Sequence, residues 1–285
     1  HLCGARLDMR PIASFARANG LVLIEDCAQA FTGDEWRGSE AALASLFSFG
    51  TIKTATALGG GICVVRDERL LERMRAVQAS WRVQPRSALV RKLVMAAHLH
   101  LASSRTLFAL FTRVVRARGG DLDALLHGAV RGFPGADLFA MLRQEPSAPL
   151  LALLGRRLLR TRADHCNARA SSGARLAELL TSKLELPARD APFHSHWVFP
   201  VLAHEPDRLV HALRAAGFDA TRRSSLVAVE PAPEHPGESS AEALRFLAQV
   251  LFLPAHAALD PRSLASMVAV IRAEATAELL PEPSR

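Results

Sequence analysis

One lysine, Lys53, lies in a glycine-rich stretch: Gly50 precedes it and Gly59-Gly60-Gly61 follows it. A lysine in a tight loop, where glycines let the backbone approach a ligand, suits an amine nucleophile that attacks a carbonyl carbon. Most lysines are solvated loop residues without a chemical role, so Lys53 alone leaves both interpretations open.

A pair of carboxylates, Glu25 and Asp26, directly follows the apolar run at residues 21–24. The run is too short for a helix and is typical of a strand buried on both faces of a parallel sheet. Open α/β sheets bind ligands at the carboxyl edge of their strands, which is where we expect Asp26. We expect it to be partly desolvated and to need a cationic partner, such as a protonated heterocycle nitrogen. A carboxylate that caps the next helix or pairs with an arginine is the alternative.

The elements that position these residues alternate between helix and strand. Asp8 is predicted to cap a first helix with an apolar face at Ile12, Phe15 and Ala16, and Gly20 is predicted to end it. The elements predicted after the first strand are a short helix at 39–45, a strand at 46–49, a loop at 50–58, a strand at 62–66 and a helix capped by Asp67. This alternation predicts an α/β layer fold.

The sequence from residue 85 to about residue 160 has a helical pattern and is apolar and rich in arginine. The part after it predicts a smaller α/β unit, with helices at 168–180, 206–216 and 260–275 and strands at 197–202, 218–221 and 251–253. We therefore predict two domains. The first is residues 1–160, which include the divergent helical segment at about 85–160, and the second is residues 161–285.

The composition excludes several classes of protein. The chain has 285 residues, of which 49% are hydrophobic and 22% charged, so it is neither collagen-like nor wholly disordered. No stretch reaches the ~18 uninterrupted apolar residues that a membrane span needs. The four cysteines are scattered, without a C-x-x-C pair, and indicate neither a zinc site nor a disulfide framework. A reducing cytoplasm is the expected location.

The net charge of +7 is local, because residues 73–120 contain ten Arg or Lys and no Asp or Glu. No recognition motif accompanies these charges, and 32 of the 35 cations are arginine, so we do not expect nucleic-acid binding. The basic and apolar residues 82–118 could rest on an acidic membrane surface, but burial in a subunit interface is the favoured interpretation.

Two histidine pairs, His98-x-His100 and His194-x-His196, are the candidates for metal ligands. Neither pair has a carboxylate or thiol at ligand spacing, so no metal site is predicted. We expect all four histidines to be structural or exposed.

Further motifs complete a pattern around Asp26 and Lys53. Glu25-Asp26-Cys27-Ala28-Gln29-Ala30 is followed by Phe47-Ser48-Phe49, with Lys53 five residues after the serine, and then by the glycine cluster. This order and spacing resemble the DegT/DnrJ/StrS family of sugar aminotransferases, which are pyridoxal phosphate (PLP) enzymes of fold type I. The resemblance covers roughly residues 1–82 and 165–275.

The resemblance implies an α/β fold of the fold-type I PLP transferases, with part of a large doubly wound domain and a smaller C-terminal α/β domain. It implies that Lys53 bonds to PLP and later moves a proton between substrate and cofactor, and that Asp26 pairs with the pyridine nitrogen. It also implies that Gln29 lies near the phenolic oxygen of the ring and that Ser48 donates a hydrogen bond to the cofactor phosphate. A surface amide and a buried strand hydroxyl are the alternatives for Gln29 and Ser48.

The implied activity is transfer of an amino group from glutamate to a keto group of a nucleotide-linked sugar, by a cytoplasmic homodimer. Family members carry a phosphate loop and a stacking aromatic before the point that matches His1, so we expect an N-terminally truncated piece of a longer, divergent member. The family's Gly-x-Asn-x-Arg segment is not recognisable where it is expected, at residues 131–135. This departure keeps two alternatives open: a transaminase that acts on a non-sugar keto compound, and a non-catalytic relative that binds or dimerises.

Overall fold

The computed structural model describes residues 1–118, 138–161, 163–181, 183–222, 226–234, 239–256 and 258–278. The chain divides into two compact units. The first contains residues 1–2 and 7–163, and the second contains residues 3–6 and those from 164 onwards. Residues 131–135, where the asparagine segment is expected, lie outside the described residues.

A three-stranded sheet positions the candidate residues of the first unit. Its strands are β2 (Ile24–Asp26), β3 (Ala44–Ser48) and β4 (Gly61–Val65), in the order β2-β3-β4. β2 and β3 are parallel, whereas β3 and β4 are antiparallel. The connection between β3 and β4, which is described in full, contains no helix, and a parallel return needs a long crossover. The sheet is therefore mixed.

The predicted strand buried on both faces is wrong. β2 begins only at Ile24, and Leu21, Val22 and Ile24 are 58%, 67% and 59% exposed. Among the described residues β2 is an edge strand that pairs with β3 alone, which leaves an apolar edge and face exposed.

The first helix, α1 (Arg10–Ala18), departs from its predicted cap and face. The carboxylate of Asp8 binds the backbone amide and the guanidinium of Arg10, and the N-cap is the following residue. The helix buries its alanine face, while Ile12 and Phe15 are exposed.

The second helix, α2 (Glu68–Ala79), begins as predicted. The Asp67 carboxylate accepts a hydrogen bond of 2.6 Å from the backbone amide of Leu70, which satisfies an amide that has no partner within the helix. The Asp67 cap is confirmed.

The helix predicted at residues 39–45 is wrong, since the segment is a turn that leads into β3. The Ser39 amide and the Ser45 hydroxyl both donate hydrogen bonds of 2.7 Å to Oε2 of Glu25. These two bonds hold the segment against β2, so it cannot close helical bonds of its own.

A short parallel pair, β5 (Arg82–Val83) with β6 (Gln144–Glu145), brackets most of the predicted helical segment. The described helices between these strands are α3 (Arg86–Ala102), α4 (Arg105–Ala117) and α5 (Leu138–Leu142), and α6 (Ala148–Arg160) follows β6. Leu154 of α6 packs with Phe47 and Phe49 in the core of the first unit. The segment between β5 and β6 thus precedes a helix that packs into this core.

The second unit combines antiparallel strands and helices. β1 (Ala5–Arg6) pairs with β7 (Phe193–His194), and β8 (Phe199–Leu202) pairs with β9 (Val250–Leu253). Its helices are α7 (Ala163–Leu180), α8 (Pro206–Ala215), α9 (Ala241–Gln249) and α10 (Pro261–Glu278). The core is aliphatic and includes the buried side chains of Leu176, Leu213, Leu251 and Met267.

Two elements of the second unit differ from the predictions. The strand predicted at residues 218–221 is wrong and reduces to a single bridge between Thr221 and Phe252. The chain turns at Gly217, with φ of 92°, and the Ala220 amide bonds back to the Phe218 carbonyl, so the segment cannot extend. Helix α9 is not among the predicted elements.

Candidate active site

Asp26 and Ser48 lie at the same edge of the sheet, since each is the last residue of a strand and β2 and β3 are parallel. Asp26 pairs directly with Leu46. Ser48 is two residues further along β3, and side chains two residues apart on a strand point to the same face. Asp26 and Ser48 therefore share one face at the carboxyl edge, where open α/β sheets bind their ligands.

The loop that carries Lys53 starts directly after Ser48. The Lys53 amide donates a 3.0 Å hydrogen bond to the carbonyl of Gly50. A Cβ atom on Gly50 would lie 3.7 Å from Oγ of Ser48 and 3.9 Å from Cγ of Lys53. The absence of a side chain at Gly50 thus leaves a space that both Ser48 and Lys53 line.

The surroundings of Lys53 change its pKa in two opposing ways. Half-burial of the amine lowers its pKa below 10.5, because the charged form loses hydration. The charge of Asp26 raises the pKa, but this effect is the smaller one. Asp26 and Lys53 are therefore within electrostatic reach of each other, and the fraction of neutral, nucleophilic amine increases.

Asp26 itself is exposed, so the predicted desolvation of this carboxylate is wrong. Neighbouring residues on a strand point to opposite faces, and Glu25, at 3% exposure, is the one that faces inward. Oδ1 of Asp26 accepts a 2.8 Å hydrogen bond from the Ala28 amide. This bond resembles the capping alternative, but residues 28–30 form a turn and not a helix.

Gln29 lies in this turn, which the Ala30 amide closes with a 3.0 Å hydrogen bond to the Cys27 carbonyl. Its side chain is partly exposed, three residues after Asp26. The hydroxyl of Ser48 is also partly exposed, and not fully buried within the strand. The roles of Gln29 and Ser48 towards a cofactor stay predictions.

Glu25 is the residue of this edge to which the sequence motifs assign no role. Its Oε1 is 2.7 Å from Nε2 of His1, and its Oε2 accepts the hydrogen bonds from Ser39 and Ser45. The carboxylate thereby joins β2, β3 and the turn before β3, and it fixes the register that sets Asp26 beside β3. Strand alternation is the signal that could have found it, because one of two adjacent carboxylates on a strand must face the core.

Gly38 lets this network form. Its φ is +86°, which few residues other than glycine adopt. A Cβ atom at this position would overlap Oγ of Ser45 and Oε2 of Glu25. Any side chain at residue 38 would therefore separate the carboxylate from its donors.

A cluster of possible metal ligands, His1, Glu25 and Cys27, also lies here, with its ligand atoms within 4.8 Å of one another. Both oxygens of Glu25 already have hydrogen-bonding partners. Burial, helped by the charge of Glu25, raises the pKa of the Cys27 thiol to about 12, so the thiol stays protonated near neutral pH. These contacts make the cluster a hydrogen-bonded structural group.

His194 and His196 belong to the second unit. Their rings stack with centroids 4.0 Å apart and an interplanar angle of 12°, and the His196 ring also stacks on Phe199. Burial lowers the pKa of both imidazoles to about 4. Stacked rings do not converge on one metal ion, and Nδ1 of His194 accepts a 2.9 Å hydrogen bond from the His196 amide.

Residues 1–97 match the sequence model of the DegT/DnrJ/EryC1/StrS aminotransferase family. A pleiotropic regulatory protein of Geobacillus stearothermophilus is 39% identical over 82 residues, which are 27% of this chain and 22% of that protein. A GDP-perosamine synthase of Escherichia coli O157:H7 is 40% identical over 76 residues, which are 26% of this chain and 21% of that protein. The matched segment thus spans about a fifth of each relative.

Among solved structures, the aminotransferase TlmJ from Streptoalloteichus hindustanus is similar with a TM-score of 0.60 and 20% identity. The alignment covers 98% of this chain and 65% of that one. This likeness shows the fold, and the predicted α/β fold of type I is confirmed. The sequence match over residues 1–97 confirms the family resemblance.

Proposed function

We propose that this chain acts in a PLP-dependent aminotransferase that transfers an amino group from glutamate to the keto group of a nucleotide-linked sugar. One observation carries the proposal: a half-buried amine of lowered pKa, Lys53, interacts with the charge of Asp26 at the carboxyl edge of the sheet. The match of residues 1–97 to an aminotransferase family supports it.

The residues at this edge fit the chemical groups of PLP. The Asp26 carboxylate would keep the pyridine nitrogen protonated, and the Ser48 hydroxyl would donate a hydrogen bond to the phosphate. Gly50 leaves space beside Ser48 and Lys53 for that phosphate, and Gln29 would bind near the phenolic oxygen. When bound, PLP supplies the electron sink for the reaction.

Lys53 has two functions at one atom, Nζ. When PLP is bound, Nζ would bond to it covalently, and it would later accept a proton from the substrate and return it. Both functions need an unprotonated amine. The lowered pKa of Lys53 increases the fraction of that form.

The substrate class has its own support. The relative named GDP-perosamine synthase carries a nucleotide-linked sugar in its name, and it matches this chain at 40% identity over 76 residues. The glutamate donor, the homodimer and the cytoplasmic location rest on the family resemblance. In this proposal residues 1–160 contribute to the cofactor domain and residues 161–285 form the small domain.

The chain has only three lysines, so the amine that binds PLP can be identified directly. We expect the protein mixed with PLP to develop an absorption band in the visible range, and borohydride to fix the pyridoxyl group on the peptide that contains Lys53. Lys53→Ala should abolish both the band and the labelled peptide. Lys183→Ala, at an exposed position, is the matched control and should leave both unchanged.

Lys92 is the more demanding comparison for PLP attachment, because half-burial lowers its pKa as well. No effect of Asp26 accompanies that shift, whereas Asp26 acts on Lys53. Labelling of Lys92 in place of Lys53 would show that a lowered pKa alone selects the amine, and the proposal would fail.

A protein that takes up PLP but transfers the amino group only to non-sugar keto acids would support the alternative substrate class. One that never takes up PLP would support the non-catalytic relative.

A further inference from the structure

Residues 86–118, which we call the basic segment, contain α3 and α4. They hold seven Arg or Lys and no Asp or Glu. The whole chain has a net charge of +7, so the other residues together are neutral. The pair of β5 with β6 brackets α3 and α4, so the charge is concentrated on helices that lie between these two strands in the sequence.

The basic segment also exposes apolar side chains on one face of each helix. Four on α4 are 36–51% exposed: Leu107, Phe108, Phe111 and Val114. Four on α3 are 46–63% exposed: Val90, Leu93, Val94 and Leu101. On α4 the four positions fall within about 120° on a helical wheel, and Arg113 lies on the opposite side. On α3 they fall within about 100°, in an arc that also contains Arg86. The large buried side chains of these helices are few and include Leu89 and Val115.

The geometry favours a position along a bilayer. In the described part of the chain no single helix is long and apolar enough to cross a membrane. Only α3 with residues 106–115 of α4 reaches the necessary length and composition as a pair, and this pair is bent by 86°. α4 is amphipathic, with exposed Phe and Leu on one side and Arg113 on the other, which suits the interface of a bilayer. α3 adds exposed aliphatic side chains and cations that are not separated into two faces.

The charge of the basic segment distinguishes between the possible binding partners of this surface. A two-fold contact between copies through this face would bring together two segments that each carry seven cations and no carboxylate, which is unfavourable. Nucleic acid would attract the arginines but leave the aliphatic and phenylalanine side chains uncovered. Anionic lipid satisfies both, since its headgroups attract the cations and its acyl boundary buries the apolar faces.

We propose that the basic segment docks the protein on the surface of a membrane that contains anionic lipid. A subunit interface is the occupant that the sequence alone favours, and the concentration of charge argues against it. The docking does not rest on the proposed function, so Lys53→Ala, which removes PLP binding, should leave it intact.

The test is co-sedimentation with vesicles of phosphatidylcholine alone and of phosphatidylcholine mixed with phosphatidylglycerol. We expect binding to the anionic vesicles and its loss at high salt, since screening weakens exposed charges. Phe108→Ser with Phe111→Ser should weaken this binding about tenfold or more, because two buried rings are lost. Phe15→Ser with Val22→Ser changes two apolar residues elsewhere that are more exposed, at 64% and 67%, and is the control.

A second pair of variants tests the charge. Arg91→Gln with Arg113→Gln should weaken binding about tenfold or more, given about 1 kcal/mol per cation near an anionic surface. Arg156→Gln with Arg189→Gln removes the same charge outside the segment and should have little effect. Far-UV circular dichroism confirms that each variant is folded.

Three results would overturn the docking surface. One is no co-sedimentation of the folded protein with anionic vesicles, and another is equal binding to both vesicle types. The third is equal loss of binding in the variants and their controls. Self-association without lipid that shields the Phe111 side chain from solvent would show that the face binds a second copy. Tight binding of nucleic acid without lipid binding would show that nucleic acid is the partner. Either of these results also overturns the proposal.

Discussion

Two effects of opposite sign act on the pKa of the Lys53 amine, and their balance determines how often the amine is neutral. Burial lowers its pKa and the charge of Asp26 raises it, with burial the stronger effect. The exposure of Asp26 keeps its attraction moderate, since solvent screens the charge. An amine held this way is more often neutral than a solvated lysine but stays close to a carboxylate. Both properties suit a nucleophile that also transfers a proton.

The sign of the interaction gives a test. Asp26→Asn removes the charge that raises the pKa of Lys53, so that pKa should fall further. Reductive methylation measured by mass spectrometry against pH reports the neutral amine, and its midpoint at Lys53 should move to lower pH in the variant. Lys183 in the same digest is the internal control, and Asp67→Asn is the matched acidic substitution. An unchanged or higher midpoint would mean that Asp26 and Lys53 do not interact.

At the scale of elements, local signals in the sequence are reliable where one residue decides the outcome. Asp67 caps α2 because its carboxylate reaches an amide three residues on, which needs no other part of the chain. The position of Asp26 at the carboxyl edge of the sheet also follows from the pattern, since the carboxylates directly follow the apolar run.

Elements that depend on distant partners are not predictable in the same way. The segment at residues 39–45 has helical composition, but the buried carboxylate of Glu25 binds the Ser39 amide and the Ser45 hydroxyl and so prevents a helix. Likewise, the apolar run at 21–24 indicates burial, yet exposure depends on what lies against β2. The choice of Glu25 over Asp26 as the inward side chain depends on register, which a motif does not contain.

The packing of β7 against α7 predicts a pH dependence for the second unit. The His196 ring lies where a side chain on Gly173 would be, and it faces His194, Arg169 and Phe199. Burial lowers the pKa of both imidazoles from 6.5 to about 4, so between these values the unfolded chain binds more protons than the folded one. The stability they contribute is complete above pH 6.5 and is lost as the pH falls towards 4.

We therefore expect the urea midpoint, followed by Trp197 fluorescence, to fall between pH 6.5 and pH 4. His196 should account for about 2 kcal/mol of this loss once screening by solvent is allowed for. His196→Asn tolerates the positive φ of 48° and should flatten the decline. His100→Asn, at an exposed position on α3, should not. A decline of the same slope in all three proteins would show that the stacked pair does not titrate on unfolding.

At the scale of the whole molecule, charge is segregated. The basic segment carries a net charge equal to that of the entire chain, and the remaining residues balance to zero. Screening at physiological salt limits electrostatic reach to roughly 8 Å, so a charged surface responds to the local density of cations and not to the net charge. A protein of this kind should behave as a neutral molecule with one strongly basic surface.

Two variants of equal net charge distinguish an effect of the local basic surface from an effect of the total charge. One replaces Arg86, Arg91, Arg113 and Arg118 with Gln, and the other replaces Arg17, Arg156, Arg189 and Arg262 with Gln; all eight arginines are exposed. Both variants have a formal charge of +3, since each loses four cations from +7. We expect the first to elute from a cation exchanger at much lower salt than the wild type, and the second to elute close to the wild type. Equal elution of the two variants would mean that the resin responds to total charge, and that the segment is not presented as one surface.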